Sequence, residues 1–250
     1  MVNGLYTAGR SMMNANTRQD VIANSLANTN TPGFKMTRLA TTAEVGTGFE
    51  KREKSWRQHE IQKRDEMFTD WAQGPMLNTG NNLDLAIQGD GFFVVRTPRG
   101  EAYSRTMSLR VSSEGQLVDL SGSPVKSIGG GTIDVSGGGD VEIEPDGKVK
   151  VGGEEAGQIA LVDFPKPYSL RHDSAGHYIP IPIAGIVPPK PVPVAPGTAI
   201  ASGFLEGSNS NSVECMALMI SSFRNYEADS KVVHAIESTL DKAINQVARV

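Results

Sequence analysis

Residues 5–26 read LYTAGRSMMNANTRQDVIANSL, and their spacing decides the fold at this end of the chain. Alternating steps of three and four select Leu5, Ala8, Met12, Ala15, Gln19, Ile22 and Leu26, and of these seven only Gln19 is polar. Positions so spaced fall on one stripe of an α-helix. The same stepping at the other end selects Met216, Met219, Phe223, Tyr226, Ser230, Val233, Glu237, Leu240, Ile244 and Val247, eight of the ten apolar. Two such seams can pair with each other or with other copies, as in a coiled coil. The patterning predicts N- and C-terminal helices paired as a coiled-coil-like layer, and it points towards assembly rather than chemistry.

The first helix, placed within residues 1–35, ends at dense punctuation, Asn24-Ser-Leu-Ala-Asn28-Thr-Asn30-Thr-Pro32-Gly33-Phe34-Lys35. Pro32 cannot continue a helix and disfavours helical geometry at Thr31. Gly33 supplies positive φ where the turn needs it. Plain helix termination accounts for Asn30, Pro32 and Gly33. Asn24 and Asn28 are one turn apart, and their amides on one face are a device for fixing register beside the seam.

Working inward, residues 36–75 form a connecting segment. Its run from Lys51 to Glu66 mixes both charge signs around sparse Trp56 and Ile61. Such a run reads as a solvated face, or as a segment anchored on a neighbour by Trp56, Phe68 and Trp71. From about 76 to 178 the period becomes two. Leu83-Asp-Leu85-Ala-Ile87 alternates, and Phe92-Phe-Val-Val95 is a compact buried strand. Turn signals follow at Ser113-Glu-Gly115, Ser121-Gly122, Pro145-Asp-Gly147 and Gly152-Gly153. These predict an antiparallel β-domain, a sandwich or open barrel. Seven of the 14 prolines then fall between Pro180 and Pro196, so residues 179–202 read as a stiff linker returning the chain to the helical layer at 203–250. The fold class is α+β.

The formal net charge is −4, so no basic field argues for nucleic acid. No apolar run approaches the ~20 residues that span a bilayer. The N-terminus has none of the three regions of a Sec signal. Cys215, the single cysteine, excludes an internal disulfide framework and reads as a small buried hydrophobe. His59, His172, His177 and His234 are scattered without a metal-binding motif, though His172-Asp173 and His177 could approach one another in a loop. Gly129-Gly-Gly131 and Gly137-Gly-Gly139 lack the pattern of a phosphate loop. The expectation is a chain that is not an enzyme, with no cofactor, small-molecule substrate, nucleic acid or membrane insertion.

Three blocks resemble the bacterial flagellar rod and hook axial proteins, most closely the basal-body rod proteins. The first is Leu5-Tyr-Thr-Ala8 with Asp20-Val-Ile-Ala-Asn24 through Lys35. The second is Leu83-Asp-Leu-Ala-Ile-Gln-Gly-Asp-Gly-Phe-Phe-Val94 with Tyr103-Ser-Arg105 and Gly115-Gln-Leu117. The third is Gly203-Phe-Leu-Glu-Gly-Ser-Asn209 with Met216, Met219-Ile220, Arg224, Tyr226-Glu227 and Ser230-Lys231. Ser25, Met107, Ser210 and Asp229 depart from the family pattern, and Met107 puts its turn in question. None removes a seam residue.

The resemblance implies a mechanical role. Terminal helices would form an inner layer around an export channel, with the β-domain outside, and subunits would stack helically into a torque-transmitting tube. Assembly would rest on Leu5, Met12, Ile22, Asn24, Leu26, Asn28, Asn30, Gly33 and Phe34, with Met216, Met219, Phe223, Arg224, Tyr226, Val233 and Leu240. The central motif would rest on Leu83, Asp84, Gly89, Gly91, Phe92, Phe93, Tyr103 and Arg105. Implied partners are further copies, other rod and hook proteins and the flagellar type III export apparatus. The implied place is the periplasmic rod, reached without a cleaved signal. The compact length argues against a hook protein; proximal rod, distal rod and a rod-like paralogue stand close together, with the proximal rod favoured. A secreted cell-surface β-domain protein and a peptidoglycan-cutting hydrolase are the rival classes.

Overall fold

The computed structural model describes residues 2–44, 62–173, 176–181 and 189–247. Trp56, Ile61 and most of the charged run lie outside the described residues, as do 182–188 of the Pro-rich segment. The chain divides into two units, each discontinuous in sequence. A helical unit takes Met1–Thr29, Lys35–Ala72 and Ser210–Val250, and a β-unit takes Asn30–Phe34 and Gln73–Asn209.

In the helical unit, α1 (Val2–Ala27) and α2 (Ser212–Val247) run antiparallel. Their register is fixed by four contacts. Ile236 lies beside Gly4, Ser11 Oγ donates to Asp229 Oδ2 at 2.6 Å, Ser222 Oγ to the Ala15 carbonyl at 3.0 Å, and Ser210 Oγ to the Ser25 carbonyl at 3.1 Å. Numbers rise on one helix as they fall on the other. α2 starts where Asn211 Oδ1 accepts from the amides of Val213 (2.9 Å) and Glu214 (3.4 Å), an N-cap with an acidic residue in the first turn. α1 ends at Ala27, inside the punctuation that runs from Asn24 to Lys35. Asn28 donates its amide and its side chain to the Asn24 carbonyl, at 3.2 and 2.9 Å. Those bonds satisfy a terminal carbonyl that the helix leaves open.

The connecting segment forms a two-stranded antiparallel ribbon, which its charge pattern did not indicate. β1 (Thr37–Glu44) pairs with β2 (Gln62–Thr69) over eight residue pairs, from Thr37 opposite Thr69 to Glu44 opposite Gln62. At its base the Lys35 ammonium is buried and donates to the Ala72 carbonyl at 2.7 Å.

The β-unit is built from small antiparallel sheets around one core, and among the described residues no sheet closes into a barrel. Phe92–Thr97 is central, pairing with Gly100–Ser104 on one side and Leu161–Val162 on the other. Asp84–Gln88 lies between Ala199–Ser202 and Thr106–Ser108. Leu85, Ile87, Phe93, Val95, Leu117 and Ile159 are buried in the shared core. Asp84–Ile87 is buried on both faces, so the expected half-exposed alternation does not hold there. Phe92–Val95 is buried throughout, as expected. The turn glycines 115, 122, 147, 152 and 153 all take positive φ. Met107, the departure from the family pattern, is a core residue paired with Leu85.

Candidate assembly site

Within the β-unit the three sequence blocks meet at one buried ion pair. Arg105 Nε donates to Glu206 Oε2 at 3.1 Å, and the two side chains are 6% and 0% exposed. Two buried opposite charges are sustained when hydrogen bonds satisfy their remaining atoms. Here Glu206 Oε1 accepts from the Gly74 amide at 3.0 Å, and Arg105 Nη1 donates to the Gly91 carbonyl at 2.6 Å. The guanidinium also lies 5.8 Å from the centre of the Phe92 ring, where a cation is attracted to the aromatic face.

The backbone around the pair is equally constrained. Glu206 N donates to Thr106 Oγ1 at 3.1 Å, and that hydroxyl donates to the Leu85 carbonyl at 2.9 Å. Glu206 O accepts from Gly33 N at 2.7 Å, and the Gly33 carbonyl accepts from Tyr178 OH at 2.8 Å. Gly207 N donates to Pro75 O at 2.8 Å, and Asn209 N to Phe34 O at 3.4 Å. Segments 30–34, 73–75 and 206–209, where the chain passes between its two units, are thus tied together inside the β-unit.

Two glycines are required by this crowding. Gly33 has φ +72°, and a Cβ there would lie 2.9 Å from Thr106 Cγ2. A Cβ on Gly74 would lie 2.1 Å from the Gly207 carbonyl oxygen, closer than any side chain tolerates.

An aromatic cluster backs the junction. Phe34 meets His172 edge-on at 5.5 Å, His172 meets Tyr178 at 5.2 Å, and Tyr103 meets Phe164 at 4.8 Å. Burial, then the neighbouring His177, pushes the His172 imidazole below its ordinary pKa, with Asp173 opposing. Burial, then Glu101, pushes the Tyr103 phenol up to about 12. His177 does not join His172 in a loop site. Its Nε2 lies 2.7 Å from Asp119 Oδ2 in a buried pair. Burial alone would raise the Asp119 carboxyl, but hydrogen bonds from His177, Ser121 and Ser123 hold it below its usual range.

Of the sequence-predicted residues, Gly33, Phe34, Gly91, Phe92 and Arg105 converge on this junction, with Tyr103 in its aromatic backing. Phe93 and Leu83 belong to the core. Gly89 takes positive φ in the turn before Phe92, and the Asp84 carbonyl accepts from Gly203 N at 2.8 Å. Glu206, Thr106, Gly74 and Tyr178 are missing from the predicted set. A signal for Glu206 existed: a lone carboxylate in Phe204-Leu-Glu206-Gly and a lone guanidinium after Tyr103-Ser are charges in strand contexts, and such charges need one another.

The helical unit carries the rest of the predicted set. Ala8, Ala15 and Ile22 are buried on α1, and Ile22 packs with Met36 and Cys215 against Leu26 and Met219. The thiol pKa of Cys215 is raised, first by burial and then by Glu214, with Arg38 opposing. Met12, Val233 and Leu240 are half-buried, and Leu5 is at the edge of exposure. The Gln19 Nε2 is buried with no partner among the described residues. On α2, Met219, Val233 and Leu240 of the predicted stripe stay partly buried, but at two other positions the contact shifts by one residue. Cys215 and Ser222 face α1, whereas Met216 (53% exposed), Phe223 (56%), Tyr226 and Arg224 face solvent. Small residues at the contact explain the shift: Ser222 approaches closely enough to bond the α1 backbone, as large side chains could not. Asn24 and Asn30 are exposed, and the Asn24–Asn28 pair caps α1 instead of fixing a register.

An antiparallel helix pair made from both chain ends, with an inserted antiparallel β-unit, defines an assembly protein of the axial type. No group of three potential metal ligands occurs among the described residues, and no described helix is long and apolar enough to cross a membrane. Three family descriptions match in order: "Flagella basal body rod protein" at residues 5–35, "Flagellar hook protein FlgE/F/G D1 domain" at 86–151, and "Flagellar basal body rod FlgEFG protein C-terminal" at 201–246. The chain is 30% identical to the flagellar basal-body rod protein FlgF of Rhizobium meliloti, across 98% of this chain and 97% of that one. It is 30% identical to FlgF of Caulobacter vibrioides across the whole of both chains, and to FlgG of Bacillus subtilis across 98% and 99%. The chain belongs to the flagellar basal-body rod protein family, and it is a structural subunit of the rod.

Proposed function

We propose that the chain stacks helically, with copies of itself and with other axial proteins, into the rod segment that encloses the export channel and transmits torque. The observation that carries this reading is the apolar surface that α1 and α2 leave uncovered after pairing. Met13 (72% exposed), Met216, Ile220 and Phe223 are large apolar side chains on helices already paired with each other. Uncovered apolar helix surface of this kind marks an interaction site. The paired helices supply the inner, coiled-coil-like layer and the β-unit the outer one. The Arg105–Glu206 pair ties segments 30–34, 73–75 and 206–209 together inside the β-unit. The remaining predicted site residues act through these two elements. Catalysis has no part in the reading. The chain would occupy the proximal rod in the periplasm and arrive there through the flagellar type III apparatus.

Cryo-electron microscopy of basal bodies purified from cells producing the chain tests this directly. Density for the helix pair lining the channel of the proximal rod is expected. A basal body lacking the chain, or holding it outside the rod, refutes the proposal.

A further inference from the structure

Of the exposed apolar residues on the two helices, Met13, Met216, Ile220 and Phe223 lie on one side of the pair, while Val232 lies on the other. Each of the four sits one position after a seam residue, hence about 100° further round its helix. Met216, Ile220 and Phe223 follow the seam positions Cys215, Met219 and Ser222. Met13, Asn16, Ala23 and Ala27 follow Met12, Ala15, Ile22 and Leu26, and all four are exposed. Seen from one end, antiparallel helices advance in opposite senses, so these two displaced stripes turn to the same side. The opposite side confirms the geometry: Thr7 and Val232, each one position before a seam residue, line one shallow groove with Ser11 and Asp229.

The stripes also share one level along the pair, because Ala15 lies against Ser222 and Ser25 against Ser210. Together they make a stepped face, low over Asn16, Ala23 and Ala27 of α1 and tall over Met216, Ile220 and Phe223 of α2, with Met13 at one end. Its α1 side is polar at Asn16 and carries one charge, Asp20, and both are exposed. An apolar helix laid on the face therefore packs on the α2 side and leaves these two at the rim.

The chain itself carries a segment that fits. Gly4 faces Ile236, so α1 runs out near residue 238 of its partner, whereas α2 continues to Val247. The overhang, 238–247, carries half-buried Leu240 and exposed Ile244 one turn apart. Ten residues of helix are about 15 Å long, the length of the apolar stripe from Val213 to Phe223.

We infer that the overhang of α2 from a second copy lies along this stepped face, Leu240 and Ile244 packing over Ile220 and Phe223. The contact is heterologous, since it joins one end of a copy to a different surface of the next. It therefore propagates rather than closing into a dimer. This inference rests on the proposal of helical stacking and adds which surfaces meet.

Cysteine pairing tests it. In a Cys215→Ala background, one preparation carries Ile220→Cys and another Ile244→Cys. The two positions lie 24 residues apart on one helix, about 36 Å, so a disulfide between them joins separate chains. The mixed sample, concentrated and oxidised, is expected to give the 220–244 dimer as the main product. Ile244→Asp, which lies beyond the paired region and leaves the helix pair formed by circular dichroism, is expected to weaken self-association at least about tenfold. Dominant 220–220 pairing overturns the inference in favour of a face-to-face dimer. Assemblies that form without the 220–244 link, or with unchanged strength in Ile244→Asp, also overturn it while leaving helical stacking standing. A wild-type chain that stays monomeric at every concentration removes the second copy as occupant. The localisation of the chain in basal bodies then judges the rod reading separately.

Discussion

Replacing Glu206 by Gln is the most informative perturbation, because it changes one charge and almost no volume. The Gly74 amide can keep its acceptor, since the Gln carbonyl oxygen can stand where Oε1 accepts at 3.0 Å. The Arg105 side then meets an NH2 group in place of Oε2. Two donors face each other across 3.1 Å, and a 6%-exposed guanidinium loses its counter-charge. Removing one member of a buried pair costs about 3–5 kcal/mol, most of it the uncompensated charge left behind. Other contacts prevent an easy escape. Arg105 is still tied to the Gly91 carbonyl and the Phe92 ring, so it cannot swing out to water without giving those up.

The assay should follow the β-unit alone, because a chain of two units need not unfold in one step. Amide exchange at Gly33, Gly74 and Gly207 reports the junction directly. A loss of about 3–5 kcal/mol predicts exchange faster by roughly 10²–10⁴-fold at these amides. Arg105→Met alone should cost a similar amount, by burying the Glu206 carboxylate unpaired. The double variant Arg105→Met with Glu206→Met removes both charges but strips Gly74 N and Gly91 O of partners, at about 1–3 kcal/mol each. It should therefore be less damaged than the sum of Arg105→Met and Glu206→Met made singly by at least about 2 kcal/mol, a coupling measured by a double-mutant cycle. Glu206→Gln costing under about 1 kcal/mol, or singles that simply add, would refute the view that this ion pair governs the junction.

Three further outcomes follow from single contacts. Gly33→Ala forces an L-residue to φ +72° and sets a methyl 2.9 Å from Thr106 Cγ2, so calorimetry should show a loss of about 1–2 kcal/mol or more, partly recovered by Thr106→Ser. Asn211→Ala removes the N-cap of α2 and should lower helix stability by about 1 kcal/mol, seen as faster amide exchange at Val213 and Glu214 and no change in the β-unit. The depressed His172 imidazole means that the native chain binds fewer protons than the unfolded one. Its stabilising share is present above about pH 6.5 and is lost as pH falls towards the folded value. Urea titrations should show this decline between about pH 7 and pH 5, flattened in His172→Phe, which keeps a ring between Phe34 and Tyr178.

Much of the fold was legible because it rests on local pattern. The α1 stripe is read correctly since Ala8, Ala15 and Ile22 recur at helical spacing, and the glycine turns declare themselves because only glycine takes those φ values cheaply. The α2 contact departs from the read stripe at Met216 and Phe223 for a physical reason. Periodicity weights large apolar residues, and Met216 and Phe223 outscore Cys215 and Ser222, yet the close approach of two helices selects the small ones. The β1–β2 ribbon was invisible because Thr37–Glu44 and Gln62–Thr69 show no apolar alternation. Glu206 was missed because its partner lies 101 residues earlier, a separation that no local window spans.

Those separations impose an order on the completion of the molecule. Asp84–Gln88 lacks one neighbour until Ala199–Ser202 arrives, and Met76–Asn78 has no partner until Phe204–Glu206 does. The Arg105 guanidinium, set between Gly100–Ser104 and Thr106–Ser108, pairs with a carboxylate that comes only at residue 206. α1 likewise waits for a helix that begins at Ser212. Neither unit can close on a chain that stops short of about residue 206, and the last few residues to arrive satisfy the most costly groups. A buried ion pair placed there makes closure abrupt: the β-unit has an unpaired buried charge or a complete junction, with little stable ground between.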